Sequence, residues 1–222
     1  MSGEVRHRFF QKRLEAFAAS GPAVLVNLGA GFTSYPFLLE SALATIEVDL
    51  PGVVETKSAR MRELREAGVL ESRCVTQVAA DLNDASDRNR LVSLLHSELA
   101  GARSFVLMEG ISYYLEPAVL ESLFAAMARC QTPGSVLALD YWPAALDRHP
   151  VLIRLRSFFS KKFGFDSSRY NLFDLDRITA VPGYRLREAS HAAEQERVFA
   201  STNIMQDTGT ILWEQYAVLE HE

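Results

Sequence analysis

The chain has 222 residues, 48% of them hydrophobic and 23% charged, the composition of an ordinary globular protein whose core closes without disulfides or structural metals. Lys and Arg number 23 against 28 Asp and Glu, and the net charge of −5 removes any general attraction to phosphate backbones or anionic membranes. Two cysteines without a CxxC or His-rich companion, no apolar run near the ~18 residues of a membrane span, and a polar N-terminus predict a cytoplasmic protein with no metal, nucleic-acid partner or membrane association.

Val5 to Ala18 places Phe10, Leu14 and Phe17 at helical spacing, and Ser20-Gly21-Pro22 ends that helix. Ala23 to Leu28 is a continuous apolar run of strand length, as expected for a strand buried on both faces. The alternation then recurs as strand Ala44 to Leu50, helix 53–68, strand Arg73 to Leu82, helix 87–99, strand 103–108, helix 117–130 and strand 135–141. Strands separated by helices of this length form right-handed βαβ units, which predicts a Rossmann-like, doubly wound parallel α/β sheet. A Pro- and aromatic-containing stretch, 142–170, breaks the rhythm before a helix near 171–180. Tyr184 to His191 and Thr210 to Glu220 read as a closing antiparallel hairpin at the sheet edge. No linker or repeat divides the chain, so 1–222 reads as a single domain.

The strand ends carry the chemistry. Gly29-Ala30-Gly31 follows the first strand directly, where small residues let a ligand approach the backbone. A dinucleotide fingerprint needs a third glycine where Ser34 stands, and GxG alone is weak. The second strand ends in Glu47-Val48-Asp49-Leu50, about 20 residues on, where a carboxylate accepts ribose hydroxyls. Asp81 at the third strand end is placed to accept from an adenine amino group, with the Leu82 N–H reaching a ring nitrogen. The fourth strand ends in Glu109-Gly110-Ile111-Ser112-Tyr113-Tyr114, where Glu109 suits an ammonium and Tyr113 or Tyr114 can close over the transferred group. Singly, an acidic strand end is more often a helix cap; three consecutive strands ending in GAG, EVD and AADL at one sheet edge are a much rarer coincidence.

The run Val26-Asn27-Leu28-Gly29-Ala30-Gly31, then Glu47-Val48-Asp49-Leu50-Pro51 with Val54 and Lys57, Asp81-Leu82, and Glu109-Gly110 with Tyr114-Leu115 resembles the leucine carboxyl methyltransferase family. The resemblance implies a class I methyltransferase fold, a seven-stranded sheet with an antiparallel last strand, and S-adenosylmethionine as cofactor. It implies O-methylation of a carboxylate or hydroxyl of a small-molecule acceptor, as in bacterial polyketide metabolism. A protein C-terminus as acceptor, or a non-catalytic cofactor-binding module, are the alternatives. A nicotinamide dehydrogenase is disfavoured by Ser34 and by the antiparallel final strands.

Carried over residue by residue, Arg6 would bind the methionine carboxylate, with Arg8 as fallback. Gly29, Ala30 and Gly31 would line the methionine portion, Asp49 and Leu50 the ribose, Asp81 and Leu82 the adenine, and Glu109 and Gly110 the amino end or sugar. Many members carry an aspartate two residues after the glycines, where this chain has Thr33. A carboxylate acceptor needs no general base; a hydroxyl needs one, for which Tyr113 and His149 are the candidates. The 142–170 stretch is expected to cover the substrate. Its apolar residues at helical spacing among Arg154, Arg156, Lys161 and Lys162 also suit an ordinary core-packing helix.

Overall fold

The computed structural model describes residues 2–163, 171–207 and 209–222. Seven strands form one sheet in the order β3-β2-β1-β4-β5-β7-β6. Strands β1 (Val24–Leu28), β2 (Ala44–Asp49), β3 (Val75–Ala79), β4 (Ser104–Met108) and β5 (Val136–Tyr141) are parallel. The last strand, β7 (Gln215–His221), runs antiparallel to both β5 and β6 (Tyr184–His191). Chain order reverses between β1 and β4, whose carboxyl ends therefore diverge and leave a crevice.

The strands are buried on both faces because each feeds two cores. Val26, Val106 and Met108 point to one side, against Leu91 and Leu95 of α4 (Ala85–Glu98) and Leu120, Leu123 and Phe124 of α5 (Pro117–Cys130). Leu25, Phe105 and Leu107 point to the other, against Phe9, Phe10, Leu14 and Phe17 of α1 (Ser2–Ala19). Burying each such side chain contributes about 1.5–3 kcal/mol, which fastens α1 across the sheet and delivers its N-terminal turn to the crevice.

Boundaries move where capping, rather than periodicity, decides them. Helix α3 (Pro51–Glu66) starts at Pro51, a residue suited to a first helical turn, and ends two residues short of position 68. Strand β3 is shorter than Arg73 to Leu82, and the helix near 171–180 contracts to α7 (Leu175–Thr179) after a four-residue α2 (Tyr35–Leu38) and α6 (Pro150–Phe163) earlier in the chain. The closing hairpin is corrected in its connection. The pairing is antiparallel, but α8 (Ala192–Phe199) follows β6 at once, capped by His191 Nδ1 accepting from the Glu194 N–H at 3.3 Å. Strand β7 starts at Gln215 rather than Thr210 and lies inside the sheet, leaving β6 as the edge. Within 142–170, residues 164–170 lie outside the described residues. No helix among the described residues is long and apolar enough to cross a membrane.

Candidate functional site

The glycine turn is shaped by backbone geometry. Gly29 and Gly31 have φ of +71° and +46°, a region that penalises a side chain. A Cβ on Gly29 would stand 2.5 Å from Ile111 Cδ1, whereas one on Gly31 would enter open space. The Gly29 and Ala30 amides donate to the Val48 carbonyl at 2.8 and 3.1 Å, and the Gly31 amide donates to Asp49 Oδ2 at 2.7 Å. The other oxygen of Asp49 accepts from the Leu50 amide at 2.7 Å. At the next strand end Asp81 Oδ1 accepts from the Asn83 amide at 2.8 Å, while the Asp81 amide donates to Asp87.

These ends border a cavity of about 660 Å³. Gly29, Asp49, Leu50, Asp81, Leu82 and Gly110 line it, so six sequence candidates from four strand ends converge on one space. Ile111, Tyr114 and Leu115 face them from the segment after β4. Arg6, Ala30, Gly31, Glu109, Tyr113 and His149 do not line it.

Arg6 and Glu109 instead meet behind Gly110, in a cluster whose other members the sequence did not reveal. Arg6 Nε donates to Glu109 Oε1 at 3.1 Å, and Nη1 donates to Glu214 Oε1 at 2.8 Å and Asp140 Oδ2 at 3.3 Å. Nη2, the arm none of these carboxylates takes, faces Gly110: a Cβ there would lie 3.1 Å from it. Tyr35 donates its hydroxyl proton to Glu109 Oε2 at 2.5 Å, and the Gly110 amide donates to Asp140 Oδ1 at 2.6 Å. The fallback, Arg8, is exposed on the opposite side of α1 and pairs with Glu4.

Three carboxylates surround one guanidinium, so the cluster carries surplus negative charge. Burial opposes the charge on Arg6, yet Asp140 and Glu214 hold its pKa above the ordinary value. Burial also raises the Glu109 carboxyl, but hydrogen bonds from His7 and Tyr35, with the Arg6 charge, bring it below the usual carboxylate range. Asp140 is fully buried, and burial pushes its carboxyl up to about 7 although Arg6 pulls it down.

Tyr113 is buried and stacked on Trp142, ring centroids 4.3 Å apart at 13°. Burial and then Asp140 raise the pKa of its hydroxyl, which keeps it protonated. With Leu146 and Leu152 this pair forms an apolar cluster at the ends of β4 and β5. His149 sits at the start of α6, where Nδ1 accepts from the Val151 amide at 3.3 Å, a helix-capping contact. The departure at Thr33 is accommodated locally: its hydroxyl donates to the Ala30 carbonyl at 2.7 Å and accepts from Asn27 Nδ2 at 3.0 Å.

The family model for leucine carboxyl methyltransferase matches residues 2–128, which include the glycine turn, both acidic strand ends and Glu109 to Leu115. A Mycolicibacterium smegmatis protein named "Putative S-adenosyl-L-methionine-dependent methyltransferase/" is 32% identical over 141 residues, 63% of this chain and 44% of that protein. A Mycolicibacterium gilvum relative named "Putative S-adenosyl-L-methionine-dependent methyltransferase" is 28% identical over 165 residues, 73% of this chain and 52% of its own length. The chain thus spans about half the length of the curated relatives it matches. Among solved structures, magnesium protoporphyrin IX methyltransferase from Synechocystis with bound SAH shares the fold at a TM-score of 0.59 and 12% identity, over 100% of this chain and 86% of that one. A Thermobifida fusca structure titled as a putative methyltransferase aligns at 0.69 and 15%, over 100% and 82%. With its crevice between β1 and β4 and more than half of its length matched by one family model, the chain belongs to the leucine carboxyl methyltransferase family.

Proposed function

We propose that the chain is an S-adenosylmethionine-dependent O-methyltransferase acting on a small molecule, with a carboxylate as first choice of acceptor and a hydroxyl as second. The observation that carries the reading is the cavity bordered by Gly29, Asp49, Asp81 and Gly110, with Nη2 of Arg6 packed behind Gly110. Its donors and acceptors fit the cofactor: carboxylates at two strand ends for hydroxyl and amino groups, a guanidinium arm for a carboxylate, and open space over Gly31. When bound, the cofactor supplies an electrophilic methyl group on a sulfonium, a leaving group that needs no protonation.

The protein's task is then alignment. Asp49, with both oxygens already oriented by the Gly31 and Leu50 amides, accepts from the ribose, and Asp81 and Leu82 hold the adenine. Arg6 takes the methionine carboxylate through Nη2. Glu109, kept ionised, serves the amino end. Holding nucleophile and methyl in line contributes up to about 7–11 kcal/mol of barrier lowering by proximity. Ile111, Tyr114 and Leu115, which line the cavity, support an acceptor with an apolar body. A carboxylate acceptor agrees with the capping contact of His149 and the protonated Tyr113, since an ionised acceptor asks neither to remove a proton.

The test is methyl transfer from isotopically labelled S-adenosylmethionine to paired carboxylic and phenolic acceptors. Labelled esters are expected. Labelled ethers, with activity lost in His149→Ala, would move the assignment to a hydroxyl acceptor. Binding without transfer to any acceptor would replace the enzyme by a non-catalytic cofactor-binding module.

A further inference from the structure

Lys57 lies in the middle of α3, yet it is only 6% exposed, an uncommon place for an ammonium. Nζ donates to Glu47 Oε1 at 2.8 Å, a neutralising contact with a carboxylate that is itself 2% exposed on β2. It makes a second contact that neutralisation does not require, donating to the carbonyl of Thr33 at 2.9 Å. From the other side, Gln77 of β3 donates to Glu47 Oε2 at 3.3 Å and fixes the orientation of the carboxylate.

Thr33 closes the glycine turn. Its amide and hydroxyl both donate to the Ala30 carbonyl, at 3.1 and 2.7 Å, and Asn27 of β1 holds the same hydroxyl. Gly31, whose amide meets Asp49, lies inside that closed turn. Two glycines with positive φ give the segment wide conformational freedom, and ordering it at the moment of binding would cost affinity. A single ammonium thus ties the far end of the turn to α3 and β2.

We infer that Lys57 is a positioning residue for the cofactor turn, holding the Thr33 carbonyl, with Glu47 as counter-ion, so that Gly31 and Asp49 are presented in binding geometry before the ligand arrives. The ligand part of this inference rests on the cofactor reading above; the fastening of the turn does not.

The experiment compares wild type, Lys57→Met, Lys57→Arg and the double variant Glu47→Leu with Lys57→Met. The double variant removes both buried charges and keeps an apolar core, so folding is retained even if the single variant is unstable. Two readings are taken: hydrogen exchange of the 29–34 amides without ligand, and the dissociation constant of S-adenosylhomocysteine by calorimetry. In the double variant, exchange of these amides is expected to rise while the rest of the sheet is unchanged, and S-adenosylhomocysteine to bind about tenfold more weakly. In turnover the loss is expected in KM for S-adenosylmethionine, with kcat nearly retained, and Lys57→Arg is expected to recover most of the affinity. Wild-type exchange and affinity in the double variant would overturn the inference. If the wild type fails to bind S-adenosylhomocysteine while exchange at 29–34 still rises in the double variant, the cofactor reading falls and the fastening of the turn stands.

Discussion

The two ends of the crevice are built differently. At the ends of β2 and β3, carboxylates are answered by backbone amides: Leu50 next in the chain and Gly31 18 positions away for Asp49, and Asn83 two positions on for Asp81. At the ends of β4 and β5, Arg6 is answered by Glu109, Asp140 and Glu214, which stand 103, 134 and 208 positions away. The first end is a backbone device that exposes its carboxylates to a cavity. The second is a long-range side-chain device in which the residues proposed to bind the cofactor, Arg6 and Glu109, also carry the buried charge balance. Substitutions should therefore separate binding from stability at the first end and leave them joined at the second.

The largest effect is expected for Arg6→Ala, which strands three carboxylates without a cation. Breaking such a buried pairing costs about 3–5 kcal/mol, so urea unfolding should shift strongly and cofactor affinity should fall with it. Retained stability would show that the two ends do not differ in this way. Next comes Asp49→Ala. Losing charge-assisted hydrogen bonds of about 1.5–3 kcal/mol predicts roughly 10- to 150-fold weaker binding of S-adenosylmethionine by calorimetry, with stability lowered by only about 1 kcal/mol. Unchanged affinity would remove the ribose role from Asp49.

A smaller effect sharpens the contrast through pH. The native state raises the Asp140 carboxyl from 3.8 to about 7, so folded protein binds that proton more tightly than unfolded protein. Its contribution is complete below about pH 3.8 and is lost as pH rises through about 7. Glu109, lowered from 4.5, acts oppositely and loses its contribution as pH falls below that value. Unfolding at pH 5 and 7.5 should therefore show a larger loss of stability in wild type than in Asp140→Asn; equal losses would contradict the assignment. The smallest effect belongs to His149→Ala, outside both ends. Loss of one helix-capping contact should cost about 1 kcal/mol in thermal unfolding and leave esterification at its full rate.

The same contrast explains what was legible in the sequence. The glycine turn, Asp49 and Asp81 could be read because strand period, turn chemistry and acidic strand ends are all local signals, and the doubly wound order followed from them. Asp140 and Glu214 carried no such signal. Asp140 sits inside an apolar strand and Glu214 follows a tryptophan just before β7, and only closure of α1 and β7 over the sheet brings them to Arg6. The antiparallel pairing of the last two strands was legible, but the connection between them was not, for a related reason. The short helix after β6 depends on a histidine cap, and the insertion of β7 between β5 and β6 depends on pairing across some 75 residues of chain.

The most direct measurement is calorimetric titration of the folded protein with S-adenosylmethionine, S-adenosylhomocysteine and NAD in parallel. One site per chain for each adenosyl ligand, and no binding of NAD, is the expected result. Binding of NAD, or no binding of either adenosyl ligand to protein shown to be folded, would contradict a cofactor site built on Gly29, Asp49, Asp81 and Arg6.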